Sequence, residues 1–257
     1  MAVVDVQVDE QGIAVVTMNR PEALNALNAE TLDALQAAIE KLDEDGARGI
    51  IVTGSGKAFV AGADIAQMAS MGKDQAEAFS AKGQEAFDTL SAFPGPVMAA
   101  VNGFALGGGC ELALACDVLV ASDKAVLGQP EVLLGVVPGF GGSQRLPRRV
   151  GIGHAKWLLM SGEKVKADEA LRIGLLDKVV PADQLMAECK RMMAVMLENG
   201  PVAVRLVKEL VDEGAGLVLD DALDLEVRGF GMAFETKDQK EGMKAFLEKR
   251  KAKWVGE

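Results

Sequence analysis

Two segments of the chain are rich in glycine and apolar residues, and each contains a single glutamate. The first runs from Asn102 to Asp117 around Glu111, and the second runs from Gly128 to Gly142 around Glu131. Such a composition predicts burial, where an ionised carboxylate is costly unless it is paired or used. Because glycine lets backbone amides approach closely, two carboxylates that converge there would form a general acid/base pair. Alternatively, each glutamate is a hydrogen-bonded structural acid.

The size and charge of the chain limit the classes of protein it can be. At 257 residues it is one domain, or one domain with a small appendage. Its hydrophobic content of 49% supports a sizeable core, which aliphatic residues and methionine must fill because aromatic residues make up only 4%. The net charge of -11 argues against non-specific binding to nucleic acid. An anionic small ligand is still compatible, since a few local basic residues can set the field at one pocket.

Cysteine and histidine usage predicts a protein without a metal, in a reducing compartment. Cys110, Cys116 and Cys189 are odd in number and lack metal-ligand spacing, so we expect reduced core residues and a cytoplasmic location. His154 is the only histidine and follows Gly153 at an expected helix start, which indicates a surface or capping role. We expect no secretory signal at the N-terminus and no apolar run of the roughly 20 residues that span a membrane.

Strand and helix patterns alternate through the first part of the chain. Val4, Val6 and Val8 alternate with polar residues, and a turn leads to the apolar run Ile13–Met18, which together predict a hairpin. Asn28 is the expected N-cap of a helix with apolar residues at helical spacing. Further strands are expected at 48–53, 97–101, 118–121 and 125–127, and further helices at 74–93 and 108–115.

This order indicates an α/β fold built from repeated strand–strand–helix units. From about Lys166 onward the pattern is mainly helical, with a break at Gly200-Pro201 and a charged helix from Gln239 to Lys253. We therefore expect a catalytic core over residues 1–199 and a helical oligomerisation region over residues 200–257.

Two glycine runs are similar to nucleotide-binding loops but lack the required spacing. Gly54 to Lys57 would be a phosphate-binding loop only with glycine in place of Ile51 and serine or threonine in place of Ala58. Gly107 to Gly109 enters a helix without the dinucleotide-binding spacing. Backbone amides at such a helix start suit a developing oxyanion instead. The loop Phe59 to Asp64 is a second candidate for close backbone approach, or else a simple glycine turn.

Six segments in order resemble the enoyl-CoA hydratase (crotonase) family, most closely its short-chain members. They are NRPEALNAL (19–27), FVAGADI (59–65), NGFALGGGCELALACD (102–117), GQPEVLLGVVPGFGGSQRL (128–146), KADEALRIGL (166–175) and DQKEGMKAFLEKRK (238–251). The resemblance implies a crotonase-like spiral of strand–strand–helix units with a helical C-terminal trimerisation region. It also implies a homo-oligomer, typically a hexamer built as a dimer of trimers.

The resemblance assigns roles to individual residues. It implies that the amides of Ala63 and Gly108 form an oxyanion hole, and that Glu111 and Glu131 flank one water that the amide of Gly139 helps to hold. The residues expected at coenzyme A are Ala23, Ala61, Gly62, Asp64 and Ile65, joined by Phe246 and Lys249 of a neighbouring subunit. Phe230 is expected near the acyl group. Ala66 stands where hydratases often carry a lysine over the adenine, and Lys57, Lys73 or Lys249 are candidates to replace it.

The implied reaction is the reversible syn hydration of a short-chain trans-2-enoyl-CoA, such as crotonyl-CoA, to the (3S)-3-hydroxyacyl-CoA. It would serve fatty-acid or butanoate metabolism and need no cofactor, because coenzyme A is part of the substrate. One alternative is an enoyl-CoA isomerase, which commonly needs a single acid where this chain has two. Another is a non-catalytic RNA-binding or scaffold relative, against which the acidic charge and scarce aromatics argue. Acyl-chain length, direction and pathway stay open.

Overall fold

The computed structural model describes residues 2–257, within which ten β-strands and ten α-helices are found. The strands are β1 (Val4–Val8), β2 (Ile13–Met18), β3 (Gly49–Gly54), β4 (Ala58–Val60), β5 (Val97–Val101), β6 (Phe104–Leu106), β7 (Val118–Ser122), β8 (Val126–Gly128), β9 (Lys164–Lys166) and β10 (Lys178–Val180). The helices are α1 (Ala29–Glu44), α2 (Ile65–Met68), α3 (Lys73–Ser91), α4 (Gly108–Leu114), α5 (Gly142–Ser161), α6 (Ala167–Arg172), α7 (Leu185–Leu197), α8 (Pro201–Gly214), α9 (Leu219–Ala233) and α10 (Lys237–Leu247).

The larger sheet has six strands in the order β1-β2-β3-β5-β7-β10. β1 and β2 form the predicted antiparallel hairpin, with Val4 opposite Met18. The other pairings in this sheet are parallel. β5 is buried along its whole length, which explains why it reads as a continuous apolar run rather than an alternating one.

The smaller sheet has four strands in the order β4-β6-β8-β9. β4, β6 and β8 are parallel to one another, and β9 is antiparallel to β8. Of these four strands only β8 was expected from the sequence. All four have three residues, which is too short for a clear alternating period. This sheet matters most for the site, since the carboxyl ends of its three parallel strands lie along one edge.

Several expected elements are confirmed. The side chain of Asn28 accepts a hydrogen bond from the Thr31 amide and caps α1, as predicted. The apolar residues of α1 are buried, and they are Leu32, Leu35, Ile39 and Leu42. All three cysteines are free and buried. Gly200-Pro201 separates α7 from α8, also as predicted.

One helix prediction is confirmed and another is wrong in extent. α5 begins at Gly142 and is kinked at Gly151, where φ is 78° and ψ is 159°. The helix resumes after this kink, so His154 does lie in a first turn, as expected. The last helix ends at Leu247 rather than Lys253, because Lys249 adopts a left-handed conformation with φ of 55°.

The residues after α10 fold back on that helix. The guanidinium of Arg250 donates two hydrogen bonds to the carboxylate of Glu241. The carboxylate of Asp238 accepts hydrogen bonds from the amides of Val255 and Gly256. The bonds to Asp238 give the amides of Val255 and Gly256 hydrogen-bond acceptors although these residues are not helical.

The chain comprises two compact units. The first contains the residues up to Phe93 and Val97–Arg191, and the second contains Pro94–Pro96 and Met192–Glu257. The expected roles of residues 1–199 and 200–257 stay predictions. Within residues 2–257, no helix is both long enough and apolar enough to cross a membrane.

α3 carries a notch that receives the ring of Phe140. Phe79 and Phe87 contact this ring edge-on, with centroid distances of 5.3 and 5.7 Å. Gly83 lies between them on the same helix face, and a Cβ atom there would lie 2.2 Å from the Phe140 ring. A glycine in the middle of a helix is unfavourable by about 1 kcal/mol relative to alanine, so its presence reflects this contact.

Gly83→Ala should therefore lower the free energy of unfolding, by about 1–3 kcal/mol, because the ring and its loop must move. Gly153→Ala is the matched control, since nothing lies within 4 Å of a Cβ at that helical position. The control should be neutral or stabilising by up to about 1 kcal/mol. Urea unfolding of both variants checks this, and equal effects would contradict the steric role of Gly83.

Candidate active site

Three loops meet at the carboxyl edge of the smaller sheet. β4 leads into residues 61–64, β6 leads into Gly107 and Gly108, and β8 leads into Gln129 and Glu131. Because neighbouring parallel strands end at the same edge, the sequence segments that were singled out separately become adjacent. The amide of Gly107 donates to the carbonyl of Gly128 at 2.9 Å, which joins two of these loops directly.

Glu111 is buried in α4 with 1% of its surface exposed. Its Oε1 atom accepts hydrogen bonds from the amides of Phe140 and Gly142, at 2.8 and 2.7 Å. A Cβ atom at Gly142 would lie 3.0 Å from that same oxygen, so glycine allows this close approach. Both of these backbone bonds are made to Oε1 and neither is made to Oε2.

Glu131 begins a short 3-10 helix, Glu131–Leu134, and is half-buried. A Cβ atom at Gly107 would lie 3.1 Å from its Oε1 atom. Gly107 has φ of 50° and ψ of -123° immediately before α4, the helix that carries Glu111. Gly107 thus lies between the Glu131 carboxylate and the helix that carries Glu111, and the charge of Glu131 acts on Glu111.

Gln129 is a site residue that the sequence analysis missed. It is buried, with 1% of its surface exposed. With its amide nitrogen assigned to the end that faces Glu131, the orientation that satisfies both groups, Gln129 donates to both carboxylate oxygens of Glu131, at 2.7 and 3.2 Å. The other end of its side chain lies beside Gly142. A polar residue two positions before Glu131, within an apolar segment, was the signal that could have found it.

Both carboxyl groups have raised pKa values. Burial raises the pKa of Glu111 to about 7, helped by the charge of Glu131 and opposed by the amides of Gly142 and Phe140 and by Arg145. Burial likewise raises the pKa of Glu131 to about 6. The pair therefore loses its protons in coupled steps near neutral pH, where one group can give a proton and the other accept one.

Two backbone amides are positioned to bind a developing negative charge. The amide of Leu27 donates to the carbonyl of Gly62, and the carbonyl of Leu27 accepts from the amide of Asp64. In this parallel bridge the amide of Ala63 points away from Leu27. Gly108 is the first residue of α4, and its amide is one of those that a helix leaves without an internal acceptor. Both amides follow ends of paired strands, β4 and β6.

Asn25 holds the loop that carries Leu27 against β4. Its φ is 61°, and its side-chain oxygen accepts a hydrogen bond from the amide of Arg20 at 2.9 Å. Its amide nitrogen donates to the backbone carbonyls of Ser55, Ala58 and Phe59. The NRPEALNAL segment therefore has a structural reason to contain asparagine at this position.

The residues expected at coenzyme A are distributed over both units. Ala23 ends a short 3-10 helix, Pro21–Ala23. The backbone carbonyl of the residue that follows Ala23 accepts a hydrogen bond from the amide of Ala61 at 3.0 Å. Asp64 caps α2 and pairs with Arg20 at 3.2 Å, and Ile65 is exposed beside it.

Phe230, Phe246 and Lys249 lie in the second compact unit, in α9, in α10 and just after α10. Phe246 is 82% exposed. The structure gathers the acid pair, the two amides and the Ala61 loop in the first unit. The roles of these three residues stay predictions.

One buried and one half-buried carboxyl group, both with raised pKa values, are typical of general acid/base enzymes. Residues 8–257 match the family described as Enoyl-CoA hydratase/isomerase, and the chain belongs to this family. It is similar to the crotonyl-CoA hydratase of Syntrophomonas wolfei, with 51% identity over 96% of this chain and 95% of the relative. It is 50% identical to the short-chain-enoyl-CoA hydratase of Clostridium acetobutylicum, over 94% of each chain.

Solved structures confirm the predicted crotonase-like α/β fold. The enoyl-CoA hydratase of Bacillus anthracis superposes with a TM-score of 0.95 at 38% identity, covering 99% of this chain and 100% of that one. A second structure, an enoyl-CoA hydratase subunit of Geobacillus kaustophilus, gives 0.94 at 41% identity, covering 99% and 98%. The resemblance drawn from the six sequence segments is confirmed as well.

Glu111→Gln should make the protein more stable at high pH, because the folded-state pKa of about 7 lies above the ordinary value of 4.5 for a glutamate. The stability contributed by protonated Glu111 is present below pH 4.5 and is lost as the pH rises toward 7. The free energy of unfolding of the variant, measured relative to that of the wild type, should rise by about 2–3 kcal/mol between pH 5 and pH 8.

Urea unfolding at the two pH values, at one protein concentration, measures this difference. Glu85→Gln, on the exposed side of α3, is the matched control for the loss of one carboxylate. A Glu111→Gln variant that is equally destabilised at both pH values would identify Glu111 as a structural acid.

Proposed function

We propose that the chain is an enoyl-CoA hydratase that adds water reversibly to short-chain trans-2-enoyl-CoA thioesters such as crotonyl-CoA. The observation that carries this proposal is a pair of carboxyl groups with raised pKa values at one glycine turn, the buried Glu111 and the half-buried Glu131. Membership of the family and the two relatives of about half identical sequence support the same substrate class.

The thioester activates the substrate for attack by water. Its carbonyl is conjugated with the carbon–carbon double bond, so addition of water at the β carbon moves negative charge onto the carbonyl oxygen. The amides of Ala63 and Gly108 would bind that oxygen. Each donor of an oxyanion hole lowers a barrier by about 2.7–4 kcal/mol, which makes this a large part of the catalysis.

The two glutamates would exchange protons with the water and the substrate. Glu111 accepts a proton from the attacking water through the oxygen that the backbone leaves free, with the amide of Gly139 holding that water. The two carboxyl groups titrate as a coupled pair, and the proton that they share would lie on Glu131 in the reactive state. Glu131 then delivers this proton to the α carbon from the same face, which gives syn addition and the (3S) product. These steps balance without a metal or a cofactor beyond the substrate's own coenzyme A.

Coenzyme A would lie along the loops that follow the first strands. We assign this contact to Ala23, Ala61, Gly62, Asp64 and Ile65 of one chain, with Phe246 and Lys249 of a neighbouring chain. Phe230 would lie near the acyl group. A reducing cytoplasm fits the three free cysteines.

Purified protein should consume crotonyl-CoA without added metal or nucleotide, with kcat/KM of roughly 10⁴–10⁸ M⁻¹s⁻¹. Glu111→Gln and Glu131→Gln should each lower kcat by ~10²–10⁴-fold while KM changes little. The double variant should be much less than multiplicatively worse, since both groups act on one water. Loss of the enoyl-thioester absorbance measures all three rates.

A folded preparation that leaves crotonyl-CoA unchanged but converts a 3-enoyl-CoA would support isomerase activity instead. Binding of RNA in a filter assay, with neither reaction, would favour a non-catalytic relative. A rate series over acyl-chain lengths defines the substrate range.

The chain is proposed to assemble as a hexamer through its C-terminal helices. Large apolar side chains are exposed on α8 and α9, namely Val207, Val211, Leu219, Leu223, Val227 and Phe230. Exposed apolar surface of this extent marks an interaction site.

Light scattering should give the mass of six chains of 27.0 kDa each. Val227→Asp should lower that mass, because it buries an unpaired charge in the proposed interface. Val8→Asp, at an exposed position of β1, is the matched control and should leave the mass unchanged. A wild-type monomer at micromolar concentration would disprove both the assembly and the neighbouring-chain role of Lys249.

A further inference from the structure

The peptide between Gly139 and Phe140 is bound on both of its sides. Its N–H group donates to Oε1 of Glu111 at 2.8 Å. Its carbonyl, which belongs to Gly139, accepts from the hydroxyl of Ser80 at 2.5 Å and from the side-chain amide of Gln84 at 2.9 Å. One peptide unit therefore connects α3 with the buried carboxylate of Glu111.

A peptide in this position is polarised by its partners. Donors on the carbonyl draw electron density toward the oxygen and make the N–H group a stronger donor, which is the cooperative effect known in hydrogen-bond chains. The same donors fix the peptide plane, and with it the direction of the N–H bond. The N–H group of this peptide belongs to Phe140, and the notch on α3 holds the ring of that same residue.

We propose that Ser80 and Gln84 are positioning residues, which orient and polarise the Gly139–Phe140 peptide so that it holds Glu111 in its reactive geometry. The role rests on the proposed hydratase function. Neither side chain is placed at the reacting atoms, and both act through the peptide.

Other charged groups also face Glu111 and must be separated from this effect. Glu131 lies across the glycine turn and its charge opposes ionisation of Glu111. Arg145 on α5 favours ionisation, and it is held by Asp88 and Ser91 of α3. Cys110, beside Glu111 in α4, has its pKa raised to about 12 by burial. Substitutions at Ser80 and Gln84 leave all of these side chains in place.

Removing the two donors should weaken the Phe140 amide bond to Glu111 and favour the protonated carboxyl group. Because each lost donor acts on Glu111 only through the peptide, the loss of both should lower kcat modestly, by about 3- to 10-fold. The acid limb of the kcat profile should move to higher pH. KM should change less than about twofold, because coenzyme A is bound elsewhere.

The experiment compares Ser80→Ala, Gln84→Met and the double variant with the wild type on crotonyl-CoA. Ser80→Thr keeps the hydroxyl and should restore most of the kcat lost in Ser80→Ala. Thr89→Val is the matched control, since Thr89 lies on the same helix and donates only to the carbonyl of Glu85. Gln84 is exposed, so its replacement leaves the core unchanged.

A second readout does not depend on turnover. Carbon-13 NMR titration of the glutamate carboxyl groups, with the Glu111 signal assigned from Glu111→Gln, gives the pKa of Glu111 in each variant. A higher pKa of Glu111 in the double variant supports the proposal even if the wild type fails to hydrate crotonyl-CoA, a result that would refute the proposed function alone. An unchanged pKa of Glu111 together with an unchanged pH profile overturns the positioning role, whatever the effect on stability.

Discussion

The hydrogen bonds from the Phe140 and Gly142 amides to Glu111 are the contacts on which the rest of the site depends. They place a carboxylate in the interior and offset part of its desolvation, while burial still raises its pKa to about 7. To donate both bonds, the loop must pass within hydrogen-bond reach of α4, which requires glycine at position 142. The loop is in turn fixed by the notch on α3. The helix α3 thereby contributes to the geometry around Glu111.

Much of this architecture follows from local sequence patterns, but the smaller sheet does not. The hairpin of β1 and β2 and the capped helix α1 were predictable because alternation and helical spacing extend over enough residues. β4, β6 and β9 have three residues each, and their pairing comes from partners distant in the sequence. Yet this sheet brings the loops together, so its topology had to come from the family resemblance.

Candidate site residues could be predicted from the sequence where their residue type is unusual for the segment that contains them. Glu111 and Glu131 stand out because an acid is unusual among glycine and apolar residues. Gln129 was missed because an amide raises no such conflict, although it binds Glu131 with its side chain. Ser80 and Gln84 give no signal at all, since serine and glutamine are common on a helix surface. Their contact to Gly139 depends on tertiary packing alone.

Both backbone donors bind the same oxygen of Glu111, and this asymmetry has a stereochemical consequence. A carboxylate held by one oxygen cannot exchange its two oxygens by rotation without breaking both bonds. In the proposed reaction, the proton would then always be taken by the same atom, on one side of the substrate plane. The position of the base would thus be fixed to a single atom by two main-chain amides, which no side-chain substitution removes.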